Sequence, residues 1–395
     1  MHNTLILGIE SSCDETAASV VRDGCEILSS VIASQHELHS EYAGVVPEIA
    51  SRAHVEAIVP VVQRTVREAG LTLDDLDAIA VGYRPGLVGS LLIGISAAKG
   101  LAWSLGVPII GVDHVHAHLY AGLLTNACTG GRLSCSRGAG FPARESTLAT
   151  GPGKAPSLAE RPRHHDCFPA LGLVVSGGHT SLYIVRSPID LARIGATIDD
   201  ALGEAFDKAA TILGLSHPGG PNLDRLAATE GADDRAVQFP IARLSRDSLD
   251  MSFSGLKTSL LYTVRGTPGR GPHGKQGYER TEADLTDKRR CDLAASFQRA
   301  AIEAVMLKLG RALDQFKTLA GEPCRAVLAG GGVTANSLLR ARLEGVAQDR
   351  ELPVLVPPME LCVDNAAMIA GLGFHLHAAG RVADLTLAPV PTTAC

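Results

Sequence analysis

Two histidines one helical turn apart are the side chains in this sequence whose type and spacing most directly suggest a chemical role. His114 and His118 lie in residues 111–118, GVDHVHAH, where a strand pattern gives way to a helix that Asp113 can cap. At this spacing both imidazoles lie on one helix face and can bind a single metal ion, with positions left for a third ligand and a substrate. Taken alone, such a pair is more often a set of ordinary core or surface histidines.

A distant carboxylate strengthens the metal interpretation. Asp364 stands at the expected start of another helix, and a carboxylate can complete a site with two imidazoles. Val115 follows the first histidine directly, where a zinc metalloprotease carries its glutamate base. The pattern therefore disfavours a protease and leaves a metal site of another kind as the hypothesis.

Three turns have the composition of phosphate-binding loops. Residues 11–16 are rich in hydroxyls and carboxylates, residues 176–178 are Ser-Gly-Gly between two strand patterns, and residues 330–332 are three glycines between a strand and a helix. Backbone N–H groups in such turns bind phosphate, and glycine lets a ligand approach the chain closely. Each turn by itself is equally compatible with a tight connection.

Length and composition limit the class of protein. The chain has 395 residues, too many for one ordinary core, and its 42 glycines favour a loop-rich α/β protein. Aromatic residues make up 4% and the net charge is −6, which disfavours a base-stacking platform and requires a local basic patch or partners for any nucleic-acid contact.

The compartment follows from the cysteines and the apolar runs. Nine cysteines are scattered without a CxxC pair, which favours reduced thiols. A strand pattern begins at Thr4, leaving no room for a signal peptide, and we expect that no apolar run approaches the length of a membrane span. We predict a soluble cytoplasmic protein.

Strand patterns alternate with helical patterns, as in a sheet covered by helices. We predict a first domain at 1–125, with the C-terminal helices near 364–390 packing back on it. Residues 126–168 are rich in Gly, Pro, Ser and Arg and are predicted to form a flexible insertion. A second domain is predicted at 169–395, with a further soft insertion at 265–290.

The ordered set of motifs resembles the TsaD family, which transfers threonylcarbamoyl to transfer RNA. The resemblance covers nearly the whole chain apart from the two insertions. It is carried by 8–16 (GIESSCDET), 44–48 (GVVPE), the pair His114 and His118, 175–180 (VSGGHT), 203–208 (GEAFDK), 252–258 (SFSGLKT), 330–336 (GGGVTAN) and 364–369 (DNAAMI).

The resemblance implies an actin-like ATPase superfold (ASKHA): two RNase H-like α/β domains with a nucleotide and metal cleft between them. It implies Fe²⁺ or Zn²⁺, one per chain, on His114, His118 and Asp364. It also implies a site for threonylcarbamoyl-AMP, or an ATP- or ADP-like nucleotide, formed by Val174, Val175, Ser176, Gly177, Gly178, Asp207, Gly220, Asp224 and Asn336.

The implied reaction is a metal-assisted acyl transfer to N6 of adenosine 37 in tRNAs that read ANN codons. Asp14 and Glu15 lie on the loop expected to face the metal, where they could order the amine or accept its proton. The alternatives are a kinase or chaperone-like ATPase of the same superfold and a non-catalytic scaffold paralogue. A kinase needs no His/His/Asp site, and a scaffold would be expected to have lost it.

The resemblance also implies partners besides tRNA: a TsaB-like paralogue, a TsaE-like P-loop ATPase and a TsaC-type synthetase that supplies the substrate, with no membrane involved. The small residues of a predicted helix at 87–105 permit close helix approach to a partner, or to the chain's own sheet. One departure concerns Arg84, which stands where the family usually has the first glycine of Gly-Pro-Gly. Another is the length of the insertion after His118.

Overall fold

The chain forms two compact units in the computed structural model. The structure describes residues 3–39, 42, 44–124, 133–137, 164–245, 247–267, 269–270, 276–278 and 280–391. Unit 1 comprises Met1–Phe168, Arg186–Leu191 and Pro357–Cys395, and unit 2 comprises Pro169–Val185 and Ala192–Val356.

Groups of strands and groups of helices follow one another along the described residues. The strands are β1 (Leu5–Glu10), β2 (Glu15–Arg22), β3 (Glu26–Ser34), β4 (Ala78–Arg84), β5 (Ile109–Asp113), β6 (Leu133–Arg137), β7 (Ala170–Val175), β8 (Thr180–Ser187), β9 (Asp190–Ala196), β10 (Gly269–Arg270), β11 (Gln276–Gly277), β12 (Ala326–Gly330) and β13 (Val354–Leu355). The α-helices are α1 (His36–His39), α2 (Pro47–Glu68), α3 (Val88–Leu105), α4 (His114–Ala121), α5 (Leu202–Ile212), α6 (Gly219–Ala227), α7 (Ser254–Arg265), α8 (Asp287–Ala320), α9 (Ser337–Arg350) and α10 (Ala366–Ala378).

Unit 1 is built on a mixed sheet with the strand order β5-β4-β1-β2-β3-β6. The first three strands form an antiparallel meander, and β4 and β5 run parallel to β1. Leu7 and Ile9 of β1 pack in one core with α2 and α3, whereas the intervening Gly8 lies against the backbone of α10. Because side chains alternate across a strand, α10 covers the opposite face of this sheet.

Unit 2 repeats this plan with the strand order β13-β12-β7-β8-β9. β7 and β8 are antiparallel, and β12 runs parallel to β7 on its other side. The core contains the fully buried Phe206, Phe253 and Phe297, contributed by or adjoining α5, α7 and α8. The units therefore share an antiparallel strand pair followed by parallel neighbours, each with its own core.

Parts of the two predicted insertions have regular structure. Within 126–168 the structure describes only 133–137 and 164–168, and the first of these is β6, parallel to β3 at the edge of the unit 1 sheet. Within 265–290, β10 and β11 pair as a short ladder and α8 begins at Asp287. The remaining residues of both insertions lie outside the described parts.

Helix α3 is long and apolar enough to cross a membrane by length and composition alone. In the structure, Leu91, Ile95 and Ala98 of this helix are buried in the unit 1 core. A buried core helix passes the same test, and the side of α3 that faces away from the core also carries apolar residues, among them the exposed Leu92 and Trp103. The expectation that no apolar run approaches a membrane span therefore overlooked α3, whose apolar side packs on the sheet.

Candidate functional site

Strand β5 runs directly into the helix that carries the two histidines. As predicted, Asp113 is the N-cap of α4: its Oδ1 accepts hydrogen bonds from the backbone N–H groups of Val115 at 2.9 Å and His116 at 3.1 Å. This cap satisfies two donors that a helix start leaves free and ties the first histidine to the sheet. The positions of His114 and His118 thus follow from a strand end and a cap.

The structure brings Asp364 to these histidines. Asp364 Oδ1 lies 3.4 Å from His114 Nε2 and 3.2 Å from His118 Nε2, and one ligand atom from each of the three residues lies within 4.8 Å of the others. Asp364 immediately precedes α10, whose N-cap is Asn365, one position later than expected. Two imidazoles and one carboxylate in this arrangement match the donor set of Fe²⁺ or Zn²⁺ sites with open coordination positions.

Glu10, at the end of β1, holds the other nitrogen of His114. Its fully buried carboxylate lies 2.9 Å from His114 Nδ1 through Oε2 and accepts the backbone N–H of Ser12 at 2.6 Å through Oε1. A carboxylate on Nδ1 fixes the ring and leaves Nε2 for a metal. The carboxylate needs the space beside Gly82, where a Cβ would lie 2.7 Å from Oε2. Sequence reasoning missed Glu10, although it belongs to the first of the quoted motifs.

The surroundings of the His118 ring nitrogens suit the coordination of a metal ion. Both are buried, and neither has a hydrogen-bond partner of acceptable geometry among the described residues, although Asp364 is close to Nε2. Burial, and next the charge of His114, lower the pKa of His118. A neutral imidazole with an unsatisfied Nε2 beside a carboxylate is a suitable metal ligand.

The charges of the site act oppositely on its other two members. Burial would lower the pKa of His114, but the carboxylates of Glu10 and Asp364 raise it well above its usual value. Burial would raise the pKa of Asp364, but His114 and His118 hold it well below its usual value. The three groups therefore form a strongly interacting buried cluster.

Asp14 and Glu15 lie where β2 begins, in the same unit. Burial, then the carboxylates of Asp14 and Asp364, raise the pKa of Glu15 well above its ordinary value, while a hydrogen bond from Ser34 Oγ at 3.4 Å opposes this. Asp364 therefore acts electrostatically on this loop. The surroundings of Glu15 favour its protonated form more than those of an exposed glutamate would.

A buried histidine that sequence reasoning missed supports this loop from α2. His54 Nε2 lies 3.0 Å from the carbonyl oxygen of Cys13, and its Nδ1 lies 2.7 Å from Thr16 Oγ1. The carbonyl can only accept, so Nε2 carries the proton and Nδ1 accepts from the hydroxyl. Burial lowers the pKa of His54. The imidazole therefore joins the residues on either side of Asp14 and Glu15.

Arg84, the departure from the family pattern, also acts on α4. An irregularity in β4 between Gly82 and Arg84 places Arg84 opposite Asp113, and its Nε donates to Asp113 Oδ2 at 3.0 Å. The guanidinium also lies over the ring of Tyr83. One oxygen of Asp113 thus binds Arg84 while the other caps α4, the helix that carries His114 and His118.

In unit 2 the Ser-Gly-Gly turn connects β7 to β8. Ser176 closes it by donating its backbone N–H to the carbonyl of His179 at 2.8 Å, and its Oγ accepts the N–H of His179 at 3.1 Å. Space is open beside the α-carbons of Gly177 and Gly178. Val174 and Val175 are fully buried strand residues, so only their backbone can serve a ligand.

The glycine turn after β12 packs against the end of β7. Gly331 has a φ of +98°, and a Cβ there would lie 2.4 Å from the carbonyl oxygen of Val175. Only glycine permits both the backbone conformation and this approach. The structure thereby brings the 176–178 and 330–332 turns together within unit 2.

Asp207, Gly220, Asp224 and Asn336 lie on the helices around these turns. Asp207 Oδ1 accepts the N–H of Gly220 at 3.1 Å, and burial, opposed by this hydrogen bond, raises the pKa of Asp207. Asp224 accepts from the N–H and the hydroxyl of Ser337, at 3.0 and 2.7 Å. Asn336 is the N-cap of α9. These four candidate contacts therefore also have structural partners.

Comparisons with known proteins agree with this architecture. The model of the TsaD family, described as tRNA N6-adenosine threonylcarbamoyltransferase, matches residues 26–131 and 154–371. A protein of that name from Bacillus cereus is 42% identical over 98% of this chain and 95% of its own length. A protein of the same name from Sorangium cellulosum is 43% identical over 98% of this chain and 96% of its own length.

A solved structure shows the same fold at low identity. Full-length HypF, in its phosphate- and nucleotide-bound form, matches 95% of this chain and 46% of its own length at 12% identity with a TM-score of 0.50. The two mixed sheets with their helices are those of an α/β protein of the actin-like ATPase fold. Within that class, the chain belongs to the TsaD family.

Proposed function

We propose that this protein transfers the threonylcarbamoyl group of threonylcarbamoyl-AMP to N6 of adenosine 37 in tRNAs that read ANN codons. The observation that carries the proposal is the group His114, His118 and Asp364, whose ligand atoms lie within 4.8 Å of one another. It occurs in a chain whose curated relatives carry the transferase name. An ATPase of the same fold needs no such group, so the kinase, chaperone-like and scaffold alternatives are disfavoured.

His114 Nε2, His118 Nε2 and an oxygen of Asp364 would hold Fe²⁺ or Zn²⁺. When bound, the ion supplies Lewis acidity for the carbamoyl carbonyl and a template for its orientation. Glu10 accepts the proton that His114 carries on Nδ1, which keeps Nε2 free. The imidazole of His54 holds the loop that carries Asp14 and Glu15.

The bonds formed and broken in the proposed transfer, and the proton released, are all accounted for. N6 of the adenosine forms a bond to the carbamoyl carbon, the bond from that carbon to the phosphate oxygen breaks, and AMP leaves. The amine loses a proton, and Asp14 or Glu15 is the proposed acceptor. Glu15 suits the role because burial and the carboxylates of Asp14 and Asp364 raise its pKa, which makes it more basic than an exposed glutamate.

Unit 2 would hold the AMP part of the donor substrate. The backbone at Val174, Val175, Ser176, Gly177 and Gly178 presents N–H groups in a turn with open space above its glycines. Gly220 has the same open space, and Asp207 fixes its backbone. The carboxylate of Asp224 and the amide of Asn336 would then bind polar groups of the nucleoside.

We propose a TsaB-like paralogue as the occupant of a groove between α2 and α3. The groove has a volume of about 570 Å³ and is lined largely by apolar side chains of α2, including Ile58 and Val62. On the α3 side, Ser96, Ala97 and Gly100 leave room for a closely packed helix. Ser90, Gly94 and Ala98, by contrast, are buried in this unit. One side of α3 therefore packs on its own sheet, and the other side is available to the proposed partner.

The TsaD family implies further partners for this reaction. We propose tRNA as the acceptor, a TsaC-type synthetase as the source of threonylcarbamoyl-AMP and a TsaE-like P-loop ATPase that resets the complex, all in the cytoplasm. The basic insertion 126–168, most of which lies outside the described residues, is the proposed additional tRNA contact. The proposed domain limits around it remain 1–125, with the C-terminal helices near 364–390 packing back on this domain, and 169–395.

A transfer assay with purified components tests the proposal. The protein is supplied with unmodified tRNA and threonylcarbamoyl-AMP, with and without the paralogue and the P-loop ATPase, and modified adenosine is measured after digestion of the tRNA. We expect repeated turnover only with the partners and only with metal-loaded protein. Absence of product in the complete mixture, with phosphate transfer from ATP to a protein instead, would overturn the proposal in favour of a kinase.

A further inference from the structure

One side chain of the long helix α8 joins two of the candidate nucleotide contacts. Gln298 is 4% exposed and lies between α6 and the start of α9. Its Nε2 donates to Asp224 Oδ1 at 3.0 Å, and its Oε1 accepts from Asn336 Nδ2 at 3.2 Å. One amide therefore connects a carboxylate on one helix with an amide that caps another.

The hydrogen-bond pattern permits only one orientation of this amide. Asn336 Oδ1 already accepts the backbone N–H of Leu339 at 3.0 Å, so its Nδ2 must face Gln298 and needs an acceptor there. The Asp224 carboxylate, which also receives two hydrogen bonds from Ser337, needs a donor. Only an amide with oxygen towards Asn336 and nitrogen towards Asp224 satisfies both neighbours.

We propose that Gln298 is a positioning residue for nucleotide binding. It aligns Asp224 and Asn336 so that their remaining hydrogen-bonding capacity, a carboxylate lone pair and one amide N–H, points in a fixed direction towards the nucleoside. Gln298 itself is buried behind these two side chains and acts through them. This inference rests on the proposed function, in which unit 2 holds the AMP part of the donor.

Three variants separate positioning from packing. Gln298→Met preserves length and apolar contacts but removes the donor and the acceptor. Gln298→Glu keeps the acceptor for Asn336 and, when ionised, places a second negative charge against Asp224. Gln315→Met, on the same helix and partly exposed, is the matched control. The probe is adenosine alone, because it has no phosphate that titrates near neutral pH, with AMP as a second probe.

Calorimetric titration should show adenosine affinity falling roughly tenfold in Gln298→Met, because buried polar partners lose their hydrogen bonds. Gln298→Glu should lose at least as much near pH 8. Gln315→Met should bind as the parent chain does. In steady state with partners, both Gln298 variants should raise KM for threonylcarbamoyl-AMP more than they lower kcat, and metal content should stay unchanged.

The pH dependence of Gln298→Glu gives a readout that a packing role would not move. A protonated glutamate has a donor O–H and an acceptor carbonyl, the same pattern as the amide. Its adenosine affinity should therefore recover between about pH 8 and about pH 5.5, whereas the affinity of Gln298→Met should stay low. Equal affinities in all four chains, or a Gln298→Glu affinity that does not rise on acidification, would overturn the inference while leaving the proposed function intact. No adenosine or AMP binding by the parent chain would overturn both.

Discussion

The candidate metal site of unit 1 (His114, His118 and Asp364) and the glycine turns of unit 2 are built in contrasting ways. In unit 1 the candidate site is made of side chains: among the described residues the buried nitrogens of His118 have no hydrogen-bond partner of acceptable geometry, and Asp364 approaches Nε2 from another part of the chain. In unit 2 the decisive groups are backbone atoms in turns, and the polar side chains around them, Asp224 and Asn336, already bind structural partners. The first region has side-chain atoms that can still bind a ligand, whereas the second offers a backbone turn with open space beside it.

This difference predicts how each region responds to substitution. A region built from side chains should lose its ligand when one side chain is removed, with little damage to the fold. A region built from turns should tolerate loss of an individual side chain better than the addition of a Cβ at a critical glycine. Four measurements, ordered by expected effect, test the contrast.

The largest effect is expected from His114→Ala combined with His118→Ala. Bound metal should fall from about one ion per chain to almost none, and transfer should cease. The thermal transition should change little, because a large α/β core does not depend on a catalytic metal. Elemental analysis measures the bound metal, and the tRNA-modification assay measures transfer. His116→Ala, on the same helix, is the control, and full metal occupancy in the double variant would contradict the assignment.

Glu10→Gln should have the next largest effect. The amide has the shape of the carboxylate but a weaker acceptor for the proton on His114 Nδ1, so metal affinity should fall about 10- to 100-fold. Competition with a chelator measures it. Glu26→Gln, on strand β3, serves as control. If Glu10→Gln keeps the parent affinity, Glu10 has only a structural role in the loop.

Gly331→Ala should act on unit 2 alone. The φ of +98° and the approach of 2.4 Å to the carbonyl oxygen of Val175 leave no space for a Cβ. We expect a loss of about 1–3 kcal/mol in the free energy of unfolding and weaker nucleotide binding, with metal content unchanged. Gly345→Ala, in α9 with open space around it, should be neutral or slightly stabilising. Loss of metal in Gly331→Ala would show that the two regions are not independent.

The smallest effect is expected from Arg84→Gln. The ion pair with Asp113 is partly exposed and contributes about 0.2–1 kcal/mol. Because Asp113 Oδ1 keeps its helix cap, metal affinity should change only a few-fold, and the change should shrink at high salt. Asp113→Ala removes the cap as well and should cost about 1 kcal/mol more. An Arg84→Gln variant as damaging as Asp113→Ala would show that the cap depends on the arginine.

The features that were predictable from sequence are local or belong to the family pattern. Asp113 and the two histidines lie within one short stretch, so a cap and a helical face follow from their spacing. Residue types at the glycine turns likewise indicate their conformation. The ligand and catalytic roles assigned to these residues remain predictions.

The partners across long sequence distances were not predictable in this way. Glu10 meets His114 because β1 and β5 lie on either side of β4, and Gln298 meets Asp224 because α8 packs against α6. The hydrophobic periodicity of a sequence does not indicate which distant side chains meet in this way. The edge strand β6 was missed for a related reason: the composition of 126–168 predicts a loop, but an open sheet edge supplied a pairing partner.

The order in which the chain is synthesised has a consequence for the metal ligands. His114 and His118 precede unit 2 in the sequence, whereas Asp364 and α10 follow it. A growing chain that has completed the histidine helix therefore lacks the carboxylate, and lacks the helix that covers one face of the first sheet, until all of unit 2 has been translated. A chain that stops short of Asp364 retains two imidazoles but not the carboxylate, so the three candidate ligands can come together only near the end of synthesis.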